Sequence, residues 1–202
     1  MTPPSATEAG APTQIYVIRH GEKPGNGASP ERHGLGVDVD GSQSSHALLP
    51  RGWQRAGALA VLFAPEIGPM RTGLRKPTAL YSPDYGTPRA TRGHRTYQTI
   101  EGISALLKVP VATPCAVNQE AAVAAAAFSD ASDVVLICWD HKHIPAIAAA
   151  LPLVPATHLP EWPDDRFDMI WSFTLQTAAS PARYAFSQIP QRLLAGDVEA
   201  VC

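Results

Sequence analysis

Several things that mark large protein classes are scarce in this sequence. Only three cysteines occur, Cys115, Cys138 and Cys202, each alone, so neither a disulfide framework nor a CxxC metal knuckle is encoded. No apolar run approaches the roughly 18 residues of a membrane helix. The best stretch, Ile144 to Pro155, is broken by prolines. The opening residues carry neither a basic n-region nor an apolar h-region, so no secretory signal is expected and the expected location is the cytoplasm. No sign of charge dominates: 16 Lys and Arg stand against 18 Asp and Glu, a formal charge of −2. Bulk charge therefore argues for neither a nucleic-acid partner nor an anionic membrane. No internal repeat is present.

The 202 residues, 45% of them hydrophobic, suffice for one domain with one core. Residues 1–13 are mainly Pro, Thr, Ser, Ala and Gly without periodicity and predict a disordered tail, leaving a single domain over 14–202. Ile15-Tyr16-Val17-Ile18 is a short β-branched run suited to a strand buried on both faces. Residues 24–49 are polar and aperiodic, a long insertion that reads either as a lid or as a disordered loop. Pro50 opens a helix whose apolar face is expected at Trp53, Ala56, Gly57, Ala60 and Val61. Thr78 to Ser82 predicts a strand closed by Ser82-Pro83-Asp84. Thr96 to Leu107 predicts a helix, and Asn118 is expected to cap an Ala-rich helix ending near Phe128. Val134 to Cys138 is the clearest strand. A short helix from Ile144 to Leu151 follows, then a strand from Asp168 to Leu175 and an edge strand from Arg183 to Ile189. Strands alternating with helices predict a three-layer α/β/α sandwich with a mostly parallel central sheet.

Ligands of such sheets bind beyond the carboxyl ends of the strands. Two polar clusters fall there: Arg19-His20-Gly21-Glu22 and Asp140-His141-Lys142-His143. An imidazole can attack phosphorus and form a covalent intermediate, dividing one difficult displacement into two easier ones. The transferred phosphoryl group carries charge on three oxygens, and arginine binds such a group through its planar fork. Taken alone, one histidine beside one arginine is equally a structural pair. His33, His46, His94 and His143 lie on or beside polar loops, which fix ligands poorly, so no metal site is expected. Trp53, Trp139, Trp162 and Trp171 read as core or pocket-wall residues.

Four motifs in order then resemble the histidine phosphatase superfamily, the phosphoglycerate-mutase-like group. They are Arg19-His20-Gly21 after a strand, Leu49-Pro50-Arg51-Gly52-Trp53-Gln54-Arg55-Ala56, Ser82-Pro83 followed by Arg95-Thr96-Tyr97-Gln98-Thr99, and a late strand delivering His141. Any one is weak; the ordered set, spanning 15 to about 150, is specific. The resemblance implies that fold and a phosphoryl-transfer activity without cofactor or metal. It implies His20 as nucleophile, with Arg19, Arg95 and His141 on the phosphoryl oxygens. It implies a proton donor at Glu120, which lies 25 residues beyond Arg95, with Asp140 in reserve. Neighbouring cations should favour neutral His20, oriented by a hydrogen bond from its other ring nitrogen to a backbone carbonyl near Gly21. Gly21, Glu22, Lys23, Arg89, Arg92, Asp140 and Lys142 are the expected substrate-binding residues.

The sequence departs from the family in two places. Residues 84–94 lengthen the spacer before Arg95, which lets Arg89 and Arg92 compete for its position, although Arg95 alone precedes Gln98-Thr99 at family spacing. Trp139-Asp140 replaces a small residue before His141. The leading expectation is a phosphatase acting on a small phosphorylated substrate through phospho-His20, with no nucleic-acid or membrane partner. The alternatives are a phosphoglycerate-type mutase and a phosphate- or phosphoprotein-binding module without turnover. Neither substrate nor oligomeric state is legible.

Overall fold

The computed structural model describes residues 10–25, 34–86, 94–176 and 181–202. Arg89, Arg92 and His33 lie outside these residues, as do most of the expected tail and part of the expected insertion.

The chain order is β1 (Gln14–Arg19), β2 (Gly36–Val37), β3 (Gln43–Ser44), α1 (Pro50–Phe63), β4 (Ala79–Tyr81), α2 (His94–Leu107), β5 (Val111–Ala112), α3 (Glu120–Phe128), β6 (Val134–Trp139), α4 (Ile144–Ala150), β7 (Met169–Gln176) and β8 (Arg183–Pro190). Six strands form one sheet in the order β5-β4-β6-β1-β7-β8. The β5-β4-β6-β1 part is parallel, and β7 and β8 are added by antiparallel pairing. The mixed α/β class and the mainly parallel sheet follow the expectation. β8 is the edge strand, and β2 and β3 form a separate two-stranded ribbon.

Alternation along the central strands explains the layers. In β1, Ile15 and Val17 face a cluster with Val123, Ala127, Ile144 and Ile147 of α3 and α4. Tyr16 and Ile18 face the opposite cluster, with Leu59 and Phe63 of α1 and Ile100 and Ile103 of α2. All six residues of β1 and of β6 are buried, which is why these strands read as continuous apolar runs. Each fully buried Ile or Val contributes about 1.5–3 kcal/mol relative to exposure, so the two central strands dominate stability.

Three local expectations need correction. The buried stripe of α1 is Gly52, Arg55, Ala56, Leu59, Ala60 and Phe63, while Gly57 and Val61 are exposed and Trp53 is half-buried. The stripe is rotated because Gly52 and Arg55, not apolar residues, meet the rest of the fold. Asn118 does not cap α3: its φ is 75°, and the helix begins without a side-chain cap. Instead the Asn118 amide donates to Glu120 Oε1 at 2.9 Å. Pro12 and Thr13, expected to be disordered, are tied to the fold. Pro12 accepts a hydrogen bond from the Tyr184 hydroxyl at 2.7 Å, and the Thr13 amide donates to the Asp133 carbonyl at 2.9 Å.

Two glycines decide how α1 meets the end of β1. A Cβ on Gly52 would lie 2.4 Å from the Glu22 carbonyl oxygen, and one on Gly21 would lie 2.8 Å from the Gly52 carbonyl oxygen. Backbone presses on backbone, and only glycine permits that approach. Below this contact Glu22 is bound by Arg55 at 2.8 Å and Arg51 at 3.1 Å, and Arg55 also binds Asp197 at 2.8 Å. Burial alone would lower the Arg55 pKa, but its bonds to Asp197 and Glu22 outweigh burial and raise it. The network ties the β1 loop, α1 and the C-terminal segment together.

Candidate active site

The parallel pairing of β1 with β6 puts Arg19 opposite Trp139. The next residue of each strand, His20 and Asp140, therefore leaves the sheet side by side. The His20 amide donates to the Trp139 carbonyl at 3.3 Å. Beyond these ends opens a cleft of about 490 Å³, lined by His20, Lys23, Arg95, Asp140, His141 and Lys142, with Asp84, Tyr85 and His143 at its sides.

His20 is 1% exposed. Its Nδ1 lies 2.7 Å from the Gly21 carbonyl oxygen, a pairing that requires the proton on Nδ1. Nε2 is then the lone-pair nitrogen; it has no hydrogen-bond partner and lies 3.9 Å from Asp140 Oδ2. Burial first, then the charge of Arg19, pushes the His20 pKa down to about 3. The imidazole is thus neutral at physiological pH, oriented and unengaged. The Gly21 amide donates to Thr99 Oγ1 at 2.8 Å, and Thr99 Oγ1 donates to the Arg95 carbonyl at 2.7 Å. The Gln98-Thr99 pair of the third motif therefore positions the loop that carries the histidine. Gln98 also accepts from the Leu48 amide at 3.1 Å and donates to Asp38 Oδ1 at 3.0 Å, fastening the described part of the 24–49 segment to α2.

Arg19 is wholly buried and lies behind the cleft lining. Its Nη1 donates to the Asp164 carbonyl at 2.6 Å and the Arg166 carbonyl at 3.0 Å, and its guanidinium carbon stands 3.7 Å from the centre of the Phe167 ring. Nε and Nη2, which form one edge of the guanidinium fork, have no partner. Burial lowers its pKa to about 10, with Asp140 and Asp164 opposing the shift, so it stays charged at neutral pH. Buried donors left open are costly unless a ligand completes them. Arg95 is nearly buried at the start of α2, and its Nη2 donates to the Ser45 carbonyl.

His141 Nε2 and Asp164 Oδ1 are 2.6 Å apart, and His141 Nδ1 lies 3.3 Å from Asp140 Oδ1 without hydrogen-bond geometry. Burial works to raise the Asp140 pKa, but His141, the Lys142 amide and the charges around it win, and the carboxyl is held well below the usual range. His20, Asp140 and His141 are the one set of three His, Cys or acidic residues, among the described residues, whose donor atoms come within 4.8 Å of one another. The charges of Arg19 and Lys23, both felt at His20, favour an anion over a metal cation at that point.

Two expected residues stand elsewhere. Glu22 is turned into the Arg51–Arg55 network and does not line the cleft. Glu120 does not line it either: its Oε1 takes the Asn118 amide at 2.9 Å, His143 Nδ1 at 3.0 Å and Trp139 Nε1 at 3.2 Å. Spacing from Arg95 located the right helix terminus but could not show that Trp139 and His143 arrive there first. Sequence reasoning gave no role to Phe167, Thr99 or His143. The Trp162-Pro163-Asp164-Asp165-Arg166-Phe167-Asp168 segment, dense in polar and aromatic residues, supplies the carbonyls and the ring that close over Arg19.

No family model matches the chain, and no curated protein matches it. Solved structures do. A mycobacterial glucosyl-3-phosphoglycerate phosphatase with VO3 is 14% identical, with 87% of this chain and 97% of that chain covered and a TM-score of 0.48. A candidate α-ribazole-5′-P phosphatase from Escherichia coli is 15% identical, with 92% and 100% covered and a TM-score of 0.48. A candidate phosphohistidine phosphatase SixA from Agrobacterium tumefaciens is 14% identical, with 87% and 98% covered and a TM-score of 0.44.

Proposed function

We propose that the protein is a phosphatase that hydrolyses a small phosphomonoester through a phosphohistidine on His20, without a metal. One observation carries the reading: a buried, neutral imidazole with Nδ1 committed to the Gly21 carbonyl and Nε2 unengaged beside the cleft. That is the state a nucleophilic histidine needs before it attacks phosphorus. The open edge of Arg19, with Arg95 and His141, supplies donors for the equatorial oxygens as charge redistributes. Lys23 and Lys142 draw the anionic substrate in.

Asp140 is an anion beside the attacking nitrogen. It stabilises positive charge on His20 as the P–N bond forms. In the second half-reaction water attacks the phosphoryl group and frees His20. Hydrolysis of p-nitrophenyl phosphate and common metabolite phosphates, with EDTA present, tests this. Turnover should survive EDTA and vanish in His20→Ala. Activity that persists in His20→Ala removes the nucleophile, and activity lost to EDTA restores a metal.

A further inference from the structure

We infer that His143, held by Glu120, delivers the proton to the leaving oxygen. The inference rests on the phosphatase reading and deepens it.

An unactivated ester leaves as an alkoxide unless a proton reaches its oxygen as the P–O bond breaks. The cleft lining offers two carboxyl groups, Asp84 and Asp140, and two imidazoles besides the nucleophile. Asp84 is exposed, and its Oδ1 is taken by the Gly86 amide at 2.9 Å. Asp140 is held as an anion and has no proton to give. His141 uses Nε2 on Asp164, and its Nδ1 stands 3.3 Å from Asp140 in the cluster with His20, a place for the transferring phosphoryl group rather than for the leaving oxygen.

His143 differs from all three. It lies on the turn between β6 and α4 and lines the cleft, and its side chain is 30% exposed. Nδ1 is bound to Glu120 Oε1 at 3.0 Å, on a side chain only 11% exposed that takes no part in the cleft wall. With Nδ1 engaged by Glu120, Nε2 is the nitrogen this cleft-lining ring has left for a ligand. Glu120 is itself fixed by the Trp139 indole at 3.2 Å and by the Asn118 amide at 2.9 Å. The left-handed Asn118, at φ 75°, is what turns that amide onto the carboxylate. A carboxylate outside the cleft wall thus sets the tautomer of an imidazole that lines the cleft and leaves its far nitrogen for substrate. This is the orienting arrangement a general acid–base histidine needs.

The His20 Nε2 lone pair forms the P–N bond while the P–O bond to the leaving group breaks. The ester oxygen takes the Nε2 proton of the His143 imidazolium and departs as an alcohol. His143 is left neutral, keeping its Nδ1 proton hydrogen-bonded to Glu120. Water then gives a proton to His143 Nε2 as its oxygen attacks phosphorus. The P–N bond breaks, phosphate leaves, and both histidines return to their starting states. Glu120 acts through His143 and is a positioning residue.

The test compares phenyl phosphate, whose leaving group needs a proton, with 2,4-dinitrophenyl phosphate, whose leaving group does not. His143→Gln should lose about 10²-fold or more in kcat/KM on phenyl phosphate but far less in kcat/KM on the dinitrophenyl ester, a parameter that ends at the first half-reaction, while kcat on the dinitrophenyl ester falls with the slowed attack of water. Glu120→Gln, which keeps the shape of the side chain, should shift the same ratio in the same direction by less. Equal losses on both substrates in both variants would make the pair merely structural and overturn the inference. Unchanged phenyl phosphate turnover would overturn it as well. Failure of the phosphatase reading looks different: His20→Ala would then match wild type on both substrates.

Discussion

The buried neutral His20 makes a prediction about stability that needs no substrate. Its pKa moves from 6.5 to about 3 on folding, through burial and then the Arg19 charge. Above pH 6.5 neither state carries the proton, and the full stability is present. Below it the unfolded chain takes up a proton that the native protein refuses, so stability falls as pH falls toward the folded pKa. The slope is about 1.4 kcal/mol per pH unit for one proton. Two units below 6.5 the loss from this residue alone is about 2.7 kcal/mol, a large part of the roughly 5–15 kcal/mol that holds a typical domain together. Other titrating groups contribute too, so the measurement is a difference. Urea unfolding of wild type and His20→Gln, each at pH 7.5, 6.5, 5.5 and 4.5 (about one unit apart to resolve a one-proton slope), gives two stability curves. The variant starts from a different level, having lost the Gly21 bond, but it should lose less stability on acidification. The gap should change by about 2.7 kcal/mol over the whole range, most of it in the acid half. A gap that stays constant from pH 7.5 to 4.5 (a span of about three units) would mean that His20 takes its proton in the native state as readily as in the unfolded chain, and the argument for a ready lone pair would fail.

Further predictions follow from other contacts. Arg19→Lys keeps the charge but loses the open fork edge and the Phe167 stacking, so kcat should fall about 10²-fold or more in steady-state assays with the fold intact by circular dichroism. Gly52→Ala forces a Cβ against the Glu22 carbonyl and should cost about 1–3 kcal/mol in urea titrations. Arg55→Ala leaves the buried Asp197 carboxylate without its cation and Glu22 with only the exposed Arg51, and should cost about 3–5 kcal/mol by the same measurement.

Much of this was legible before any coordinates. β1 and β6 announce themselves because both faces of each are buried, which leaves no polar residue to interrupt Ile15–Ile18 or Val134–Cys138. Their parallel register follows from the alternation with helices, and it brings the two polar clusters together. The motif glycines were visible, but their reason was not: Gly21 and Gly52 are thirty-one positions apart and touch backbone to backbone. The stripe of α1 was misplaced because a reading by apolarity favours Trp53 and Val61, whereas the buried positions include Arg55, whose partner Asp197 comes from the far end of the chain. Glu120 was placed by spacing, a one-dimensional measure. Its three partners come from its own helix start, β6 and the turn after it. Short pairings such as β2 with β3 and the two-residue β5 carry no periodicity to detect.

The most direct test of the central claim is to trap the intermediate. Wild type is mixed with excess 2,4-dinitrophenyl phosphate, quenched in denaturant at alkaline pH to preserve a phosphoramidate, digested and mapped by mass spectrometry. A phosphoryl group should appear on His20, build up with the burst of dinitrophenol and be absent from His20→Ala. Turnover with His20 unmodified at every time point, or a phosphoryl group on another residue, would contradict the mechanism.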